Sequence, residues 1–407
     1  MKLHDGKLYW SDITKVKPLK TDNRIKEENR DVLIVGGGIS GAISAYRLSK
    51  AGFGVSLVEQ NTVGSGSTGA NTGLIQYMSD DGITDFTEQI GEDNAVKFYK
   101  QSLDGVETLV DINEEVDEMS NLKTFKVTQS LILATEKEKV KEIKEETKKQ
   151  KEEDFEVEYL DKKDLKNENI DAYAGLLAKP DINLNPFGFI HRILAHAIKH
   201  FGLSVIENTE FIEAQNLDHD LEITLQTDGV ETKEIFSKLI LATGYNPPEF
   251  IRDKLDKLEI YKTYVIVSDM HDDFEEESKY LVWEMKDPYT YFKKTFENRL
   301  MIGGMDVKSD TITKDDIGKY DKDLIEGTKG MIEEAPKLKA DYSYTALFGE
   351  SKDKIPYMGV DPENENIFVV CGVGGNGTVY STIASEMALK WMKDENLDEY
   401  DIFRLGR

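Results

Sequence analysis

Three glycines mark where this chain could do chemistry. Gly36, Gly38 and Gly41 in "GGGISG" keep the G-x-G-x-x-G spacing. A β-branched run, "DVLIV" (Asp31 to Val35), precedes them, and "SGAISAYRLSKAG" follows with Ala42, Ala45 and Leu48 at helical spacing. A second apolar run, "VSLVEQ", then ends in Glu59 and Gln60. Strand, glycine turn, helix and acid-tipped strand together predict a βαβ unit that binds a dinucleotide. Gly36 permits the tight turn, Gly38 lets backbone approach a pyrophosphate, and Gly41 lets helix and strand pack closely. The helix start, with the N–H groups of Ile39 and Ser40, attracts phosphate. Glu59 accepts hydrogen bonds from a ribose diol.

The loop "GSGSTGANTG" (Gly64 to Gly73) says which dinucleotide. A nicotinamide cofactor has no use for a hydroxyl-rich loop after the acidic strand. A flavin does: its ribityl–pyrophosphate chain needs extra donors and its ring needs close backbone approach. Ser65, Ser67, Thr68, Asn71 and Thr72 supply donors, while Gly66, Gly69 and Gly73 supply room. FAD is the expected cofactor.

Residues 31 to 77 resemble the N-terminus of the FAD-dependent oxidoreductases of the D-amino-acid oxidase family, which includes glycine oxidase and sarcosine oxidase. Later segments resemble the family in order. They are "LNPFGFIHRILAHAIKHFGLSVIENTEF", ending at Phe211; "LILATGYN", with Ala242, Thr243 and Gly244; and "YTYFKKTFENRLMIGGMD". The last is "FGESKDKIPYMGV" with "NIFVVCGVGGNGTVYSTIASEMA". The sequence looks most like a bacterial branch carrying Trp283, Glu284, Pro288, Tyr289, Gly303 and Gly304 in that arrangement. The resemblance implies that Ser67, Thr68, Asn71, Thr72, Gly73 and Leu74 run along the flavin. It also implies that Gly374, Gly375, Asn376, Gly377 and Thr378 close over it. "GVGGNG" (Gly372 to Gly377) repeats the G-x-G-x-x-G lettering, but no acid-tipped strand follows it, so a second nucleotide site is not expected.

The resemblance implies oxidation of the C–N bond of a small amine or amino acid by hydride transfer to flavin. Tyr289, Tyr291 and Lys293 alternate along "YTYFKK" and so share one face of a strand; these are the expected catalytic-side residues. Relatives commonly carry an arginine for a substrate carboxylate where Lys293 falls. A lysine keeps the charge but loses the bidentate fork. The alternative is an ordinary exposed lysine on a strand. Sarcosine-oxidase-like relatives attach FAD through a cysteine where "TALFGE" has Ala346, so non-covalent FAD is expected. They also carry a lysine where Met301 precedes Ile302-Gly303, which leaves room for a dehydrogenase as well as an oxidase. Oxidation of a 2-hydroxy acid, an FAD-binding subunit without turnover, and an NAD(P) dehydrogenase are the rival readings.

Composition narrows the partners. The 407 residues carry 51 Lys plus Arg against 78 Asp plus Glu, a formal charge of -27. Such a surface repels phosphate backbones, so nucleic acid is excluded as an expected partner. One cysteine, Cys371, forms no internal disulfide and sits in an apolar run as a small hydrophobe. No secretory h-region and no run of about 20 apolar residues is seen, so a cytoplasmic, membrane-free protein is expected. His196 and His200 are four apart on a predicted helix, but no third ligand stands out, and no metal is expected. The nucleophile elbow and the P-loop are absent.

The elements that must position these groups form an α/β chain. A doubly wound FAD-binding domain is expected from residues 1–90, 180–250 and 343–407. An interleaved α+β, mixed-sheet substrate domain is expected from 91–179 and 251–342. Residues 1–30 read as a polar arm. Residues 136–168, dense in both charge signs, read as a solvated helix. "EITLQTDGVETKEI" reads as a hairpin turning at Asp228-Gly229. In the final helix, Val379, Ile383, Met387 and Trp391 form a core-facing stripe.

Overall fold

Short runs of Val, Leu and Ile without polar alternation require burial on both faces, and they form the centre of a six-stranded sheet. Its order is Tyr357–Asp361, Asn364–Cys371, Lys238–Gly244, Val32–Val35, Val55–Val58 and Ser204–Ile206. All neighbours are parallel except the first pair. The computed structural model describes residues 2–117, 122–256, 258–270, 279–329, 331 and 337–407. Alternate residues of the central strands face two different cores. Val32, Ile34, Val55 and Leu57 pack towards helices Ile39–Lys50, Pro186–Phe201 and Gly377–Met392. Leu33, Val35 and Val58 pack towards a three-stranded sheet, Thr209–Asn216, Leu221–Thr227 and Val230–Phe236. The hairpin in that sheet turns where expected. Asp228 and Gly229 have φ of 51° and 78°, the two positive values a type I′ turn needs.

A ten-stranded mixed sheet forms the second layer. At its centre, Glu259–Ser268, Leu300–Lys308 and Thr290–Lys294 are antiparallel neighbours. Tyr280–Glu284 then joins Phe125–Ala134 in parallel. The fold class is the α/β one expected, with a mixed sheet beside the parallel one. His4–Gly6 and Ala340–Glu350 pair in the larger sheet. Residues 1–90 and 343–407, which the sequence groups with the dinucleotide segments, thus also contribute strands there. The stripe of the final helix is buried at all four positions.

Two expectations need correction. The first thirty residues are not merely a polar arm. Tyr9 and Trp10, on the helix Tyr9–Ile13, are wholly buried, and the Trp10 indole N–H donates to Asn71 O at 2.7 Å. Two aromatic side chains outweigh their charged neighbours because their area dominates the transfer free energy. The charged stretch 136–168 is not one solvated helix. It holds the helix Val140–Glu152, the strand Val157–Asp161 and the helix Lys162–Asn167. Glu146 there is buried, accepting from Ile83 N–H, Thr84 N–H and the Gln150 amide.

Candidate functional site

A groove of about 1310 Å³ lies over the glycine turn. Gly36 has φ of 112°, and a Cβ there would stand 2.4 Å from Ala242 O. Gly41 has no room either, because its Cβ would fall 1.9 Å from Gly36 O. The turn is therefore closed beneath and open above: at Gly38 the nearest neighbour to a Cβ is Thr68 Oγ1, at 3.3 Å, and at Gly244 there is none within 4 Å. Ile39 N–H donates to the Thr68 hydroxyl at 2.9 Å, tying the hydroxyl-rich loop to the helix start. The N–H groups of Ser40 and Gly41 lie in the first turn, outside the intrahelical ladder. Glu59 accepts from Gly37 N–H at 2.7 Å and from Asn61 N–H at 2.9 Å, which holds its carboxylate at the groove wall.

Most expected cofactor residues face this space. Gly36, Gly38, Ile39, Ser40, Glu59 and Gln60 line the groove, as do Gly66, Phe211, Ala242, Thr243 and Gly244. Gly41 and Gly73 do not line it; both are sites of close backbone packing. At Gly73, with φ of 72°, a Cβ would meet Leu184 O at 2.1 Å.

A smaller cavity of about 190 Å³ adjoins the groove, and Ser67, Thr68, Phe348 and Gly374 line both. Asn71, Thr72, Leu74, Gly375, Asn376, Gly377 and Thr378 form one part of its wall. Asn71 Oδ1 accepts from Gly73 N–H at 2.6 Å, and Asn376 Nδ2 donates to Met78 O at 2.6 Å. Asn71 Oδ1 thus braces its own loop, and Asn376 Nδ2 ties its loop to the segment at Met78. The mixed sheet supplies Tyr289, Tyr291, Asp306 and Thr263, and Trp283 and Asp80 complete the site. The Tyr289 and Tyr291 rings lie side by side, with centroids 6.0 Å apart. The Tyr289 hydroxyl donates to Asp306 Oδ2 at 2.6 Å. Asp306 Oδ1 is buried with no hydrogen-bond partner, and so is Gln76 Nε2 in the same lining.

The electrostatics of this cavity are acidic. Asp80 is open to the cavity yet enclosed by protein, and desolvation pushes its carboxyl up to about 6, against the pull of Lys354. Burial likewise carries Glu350, beside Gly374, up to about 7. Burial raises Asp306 too, with the nearby Thr263 and Tyr289 hydroxyls offsetting part of the effect. No Lys, Arg or His lines the cavity among the described residues. Asp80, Glu350, Asp306 and Lys354 come from distant segments with no motif to flag them. The only available hint was the acid-rich "SDD" (Ser79 to Asp81), a few residues beyond the flavin loop.

Lys293 does not join the two tyrosines at the cavity. It is wholly buried, donating to Gly73 O at 2.9 Å and Leu184 O at 2.6 Å, with its ammonium 5.1 Å from the Trp10 ring centre. Desolvation holds its pKa well below that of a free lysine. It is therefore neither an exposed lysine nor a cavity cation, but a cross-brace between the loop and the strand Ala174–Leu184. Its partner across the ladder is Met301. Ala346 lines the cavity, and Cys371, the chain's sole thiol, is buried in its strand.

The fold does bring a third group to His196 and His200. Asp117 Oδ2 lies 2.9 Å from His200 Nε2 and 3.6 Å from His196 Nδ1. Lys199 Nζ is 2.8 Å from the same carboxylate oxygen, and Asp117 N–H donates to His196 Nδ1. With that lone pair and carboxylate already engaged, the trio reads as a surface ion-pair group. Among the described residues, no helix is long and apolar enough to cross a membrane.

Comparison with known proteins gives a consistent picture. Gamma-glutamylputrescine oxidoreductase of Escherichia coli (strain K12) is 23% identical over 421 residues, covering 98% of this chain and 91% of that protein. Glycine oxidase of Bacillus licheniformis is 22% identical over 362 residues, 88% of this chain and 91% of its own. The crystal structure of glycine oxidase from Geobacillus kaustophilus matches with a TM-score of 0.78 at 18% identity, covering 93% of this chain and 98% of that one. At that identity the likeness speaks for the fold. The family described as FAD dependent oxidoreductase matches residues 31–391. Matched over that span, with a cradle closed beneath and open above as a flavin dinucleotide requires, the chain belongs to the FAD-dependent oxidoreductase family.

Proposed function

We propose that this flavoenzyme oxidises the C–N bond of a small amine or amino acid, with FAD held non-covalently. The observation that carries this reading is the continuity of the two spaces: a dinucleotide groove that opens, through Ser67, Thr68, Phe348 and Gly374, into a cavity walled by Tyr289 and Tyr291. Gly36, Gly38 and the first turn of Ile39–Lys50 would hold the pyrophosphate, Glu59 a ribose, and Ser67, Thr68, Asn71 and Thr72 the ribityl side. Bound FAD would supply the two-electron acceptor. The absence of a thiol from the described cavity lining, and the burial of Cys371, support a non-covalent cofactor.

The protein's share of the work is positioning. Gly377 and Thr378 at the cavity wall begin the helix Gly377–Met392, whose N-terminal dipole favours negative charge developing there. Tyr289 and Tyr291 flank the substrate and displace water. The neutral amine loses a hydride from its α-carbon and becomes an iminium ion. Water then adds to the carbon, and ammonia or an amine leaves, giving a carbonyl product.

The purified protein should show flavin absorption, and the colour should pass to the supernatant on acid denaturation. Anaerobic addition of an amine or amino acid should bleach it, with ammonia or amine released. Bleaching only by 2-hydroxy acids would overturn C–N oxidation, and colour retained in the precipitate would overturn the non-covalent cofactor.

A further inference from the structure

We infer that the substrate is a cationic amine without an α-carboxylate, selected by Asp306 and Asp80 together with the rings of Tyr289, Tyr291 and Trp283. The inference rests on the reading of the cavity as the substrate site and adds the class of molecule it takes.

A carboxylate-bearing substrate needs a cation or several donors in the site, because burying an unpaired carboxylate costs several kcal/mol. The described lining of the cavity contains no cation. Two lysines from neighbouring segments are committed elsewhere. Lys293 is spent on Gly73 O and Leu184 O, and Lys354 pairs with Asp81 at 2.6 Å. Gln76 Nε2 is a neutral donor and cannot balance a charge. The acids, by contrast, outnumber the one cation that acts on them, Lys354. Asp306 lines the cavity, and its buried Oδ1 makes no hydrogen bond, with the Thr263 hydroxyl nearby. The Asp80 carboxylate makes no hydrogen bond among the described contacts and lies near Gly375, where a Cβ would be 3.5 Å from its Oδ2. Asp80 feels the charge of Asp306, and Glu350 that of both.

An orphaned carboxylate oxygen beside three aromatic rings is what an ammonium requires: one acceptor for its N–H and π-faces for its alkylated side. Burial, which raises the proton affinity of these carboxylates, also suits the next event. An ammonium must shed one proton before its α-carbon can release a hydride, and a cavity carboxylate accepts that proton.

The test uses three probes that lack an α-hydrogen and so cannot be turned over: tert-butylammonium, pivalate and 2-aminoisobutyrate. Each is titrated calorimetrically into the FAD-loaded protein. Tert-butylammonium should bind at least about tenfold more tightly than the other two, and Asp306→Asn or Asp80→Asn should weaken it by about tenfold or more. The wild-type ranking stands without any variant, and retained flavin absorption confirms that each variant is folded. Binding of pivalate or 2-aminoisobutyrate as tightly as tert-butylammonium overturns the inference. Anaerobic bleaching separates it from the reading beneath. Bleaching by amino acids, with 2-aminoisobutyrate bound, removes cation selection and leaves C–N oxidation standing. Bleaching by 2-hydroxy acids alone, with tert-butylammonium still bound, removes C–N oxidation and leaves the cation site.

Discussion

The groove and the cavity share six lining residues, but they are built from different material. The groove is mostly backbone. Its shape depends on missing Cβ atoms at Gly36, Gly38 and Gly244, on a helix N-terminus, and on one carboxylate that Gly37 and Asn61 hold in place. The cavity is mostly side chain: two tyrosines, a tryptophan, and carboxylates from segments more than two hundred residues apart. A backbone site recognises what all its ligands have in common, such as a pyrophosphate. A side-chain site can change its choice of ligand by one substitution and leave the fold intact. On this view cofactor choice is tied to the fold, and substrate choice is carried by a few exchangeable groups.

Four experiments would break or sharpen that contrast. Gly41→Ala should have the largest effect, because its Cβ would fall 1.9 Å from Gly36 O and the helix start must move. Overpacking of this kind costs about 1–3 kcal/mol or more, and the protein should purify with little or no flavin colour. Full flavin content would show that the turn yields more easily than a backbone site should.

Lys293→Met comes next. Removing the ammonium from Leu184 O and from Gly73 O, which then keeps only the Leu184 N–H, should cost about 1–3 kcal/mol and lower the thermal midpoint by several degrees, with the ranking of amine substrates unchanged. A lost turnover at unchanged midpoint would return Lys293 to the substrate.

The third test is pH. Desolvation raises Asp80 to about 6 and Glu350 to about 7, so each is neutral below its value and anionic above it. Asp80 faces Asp306, Asp81 and Lys354, and their charges modulate the same titration. The KM for a protonated amine should therefore fall roughly tenfold from about pH 5 to about pH 7, one pKa unit being about 1.4 kcal/mol. Asp80→Asn should flatten the profile, and a KM that instead rises over this range would argue for a carboxylate substrate.

Glu59→Gln is the mildest. It keeps an oxygen for one of the Gly37 and Asn61 N–H groups, turns an amide NH2 towards the other and removes the charge, so FAD retention should weaken about fivefold, near 1 kcal/mol. No change in substrate ranking is expected, since Glu59 lines only the groove.

The contrast also explains what could be read in advance. The βαβ unit, the turn at Asp228-Gly229 and the buried stripe of the last helix were legible because each is local. Hydrophobic period, glycine spacing and turn chemistry act over a few residues. The loop Gly64–Gly73 stood out for the same reason, and several of its residues line the groove or the cavity. Tyr289 and Tyr291 were placed correctly by strand alternation, but Lys293, two residues further on, was not. Alternation gives the face of a strand and not what covers it; here the loop at Gly73 and the end of Ala174–Leu184 lie over the lysine and take its hydrogen bonds. Trp10 was missed because a single aromatic side chain in a polar stretch has no periodicity to betray it.

From the sequence alone one could determine the parallel sheet, the dinucleotide turn and a flavin as the fitting cofactor, since covalently adjacent residues carry these. Only the tertiary structure decided the character of the cavity. It set Asp80 and Asp306 in one cavity, left Asp306 Oδ1 without a partner, and withdrew Lys293 and Lys354 into other bonds. Charge balance in a buried site is a sum over groups brought together by folding, and no local pattern in the chain records that sum.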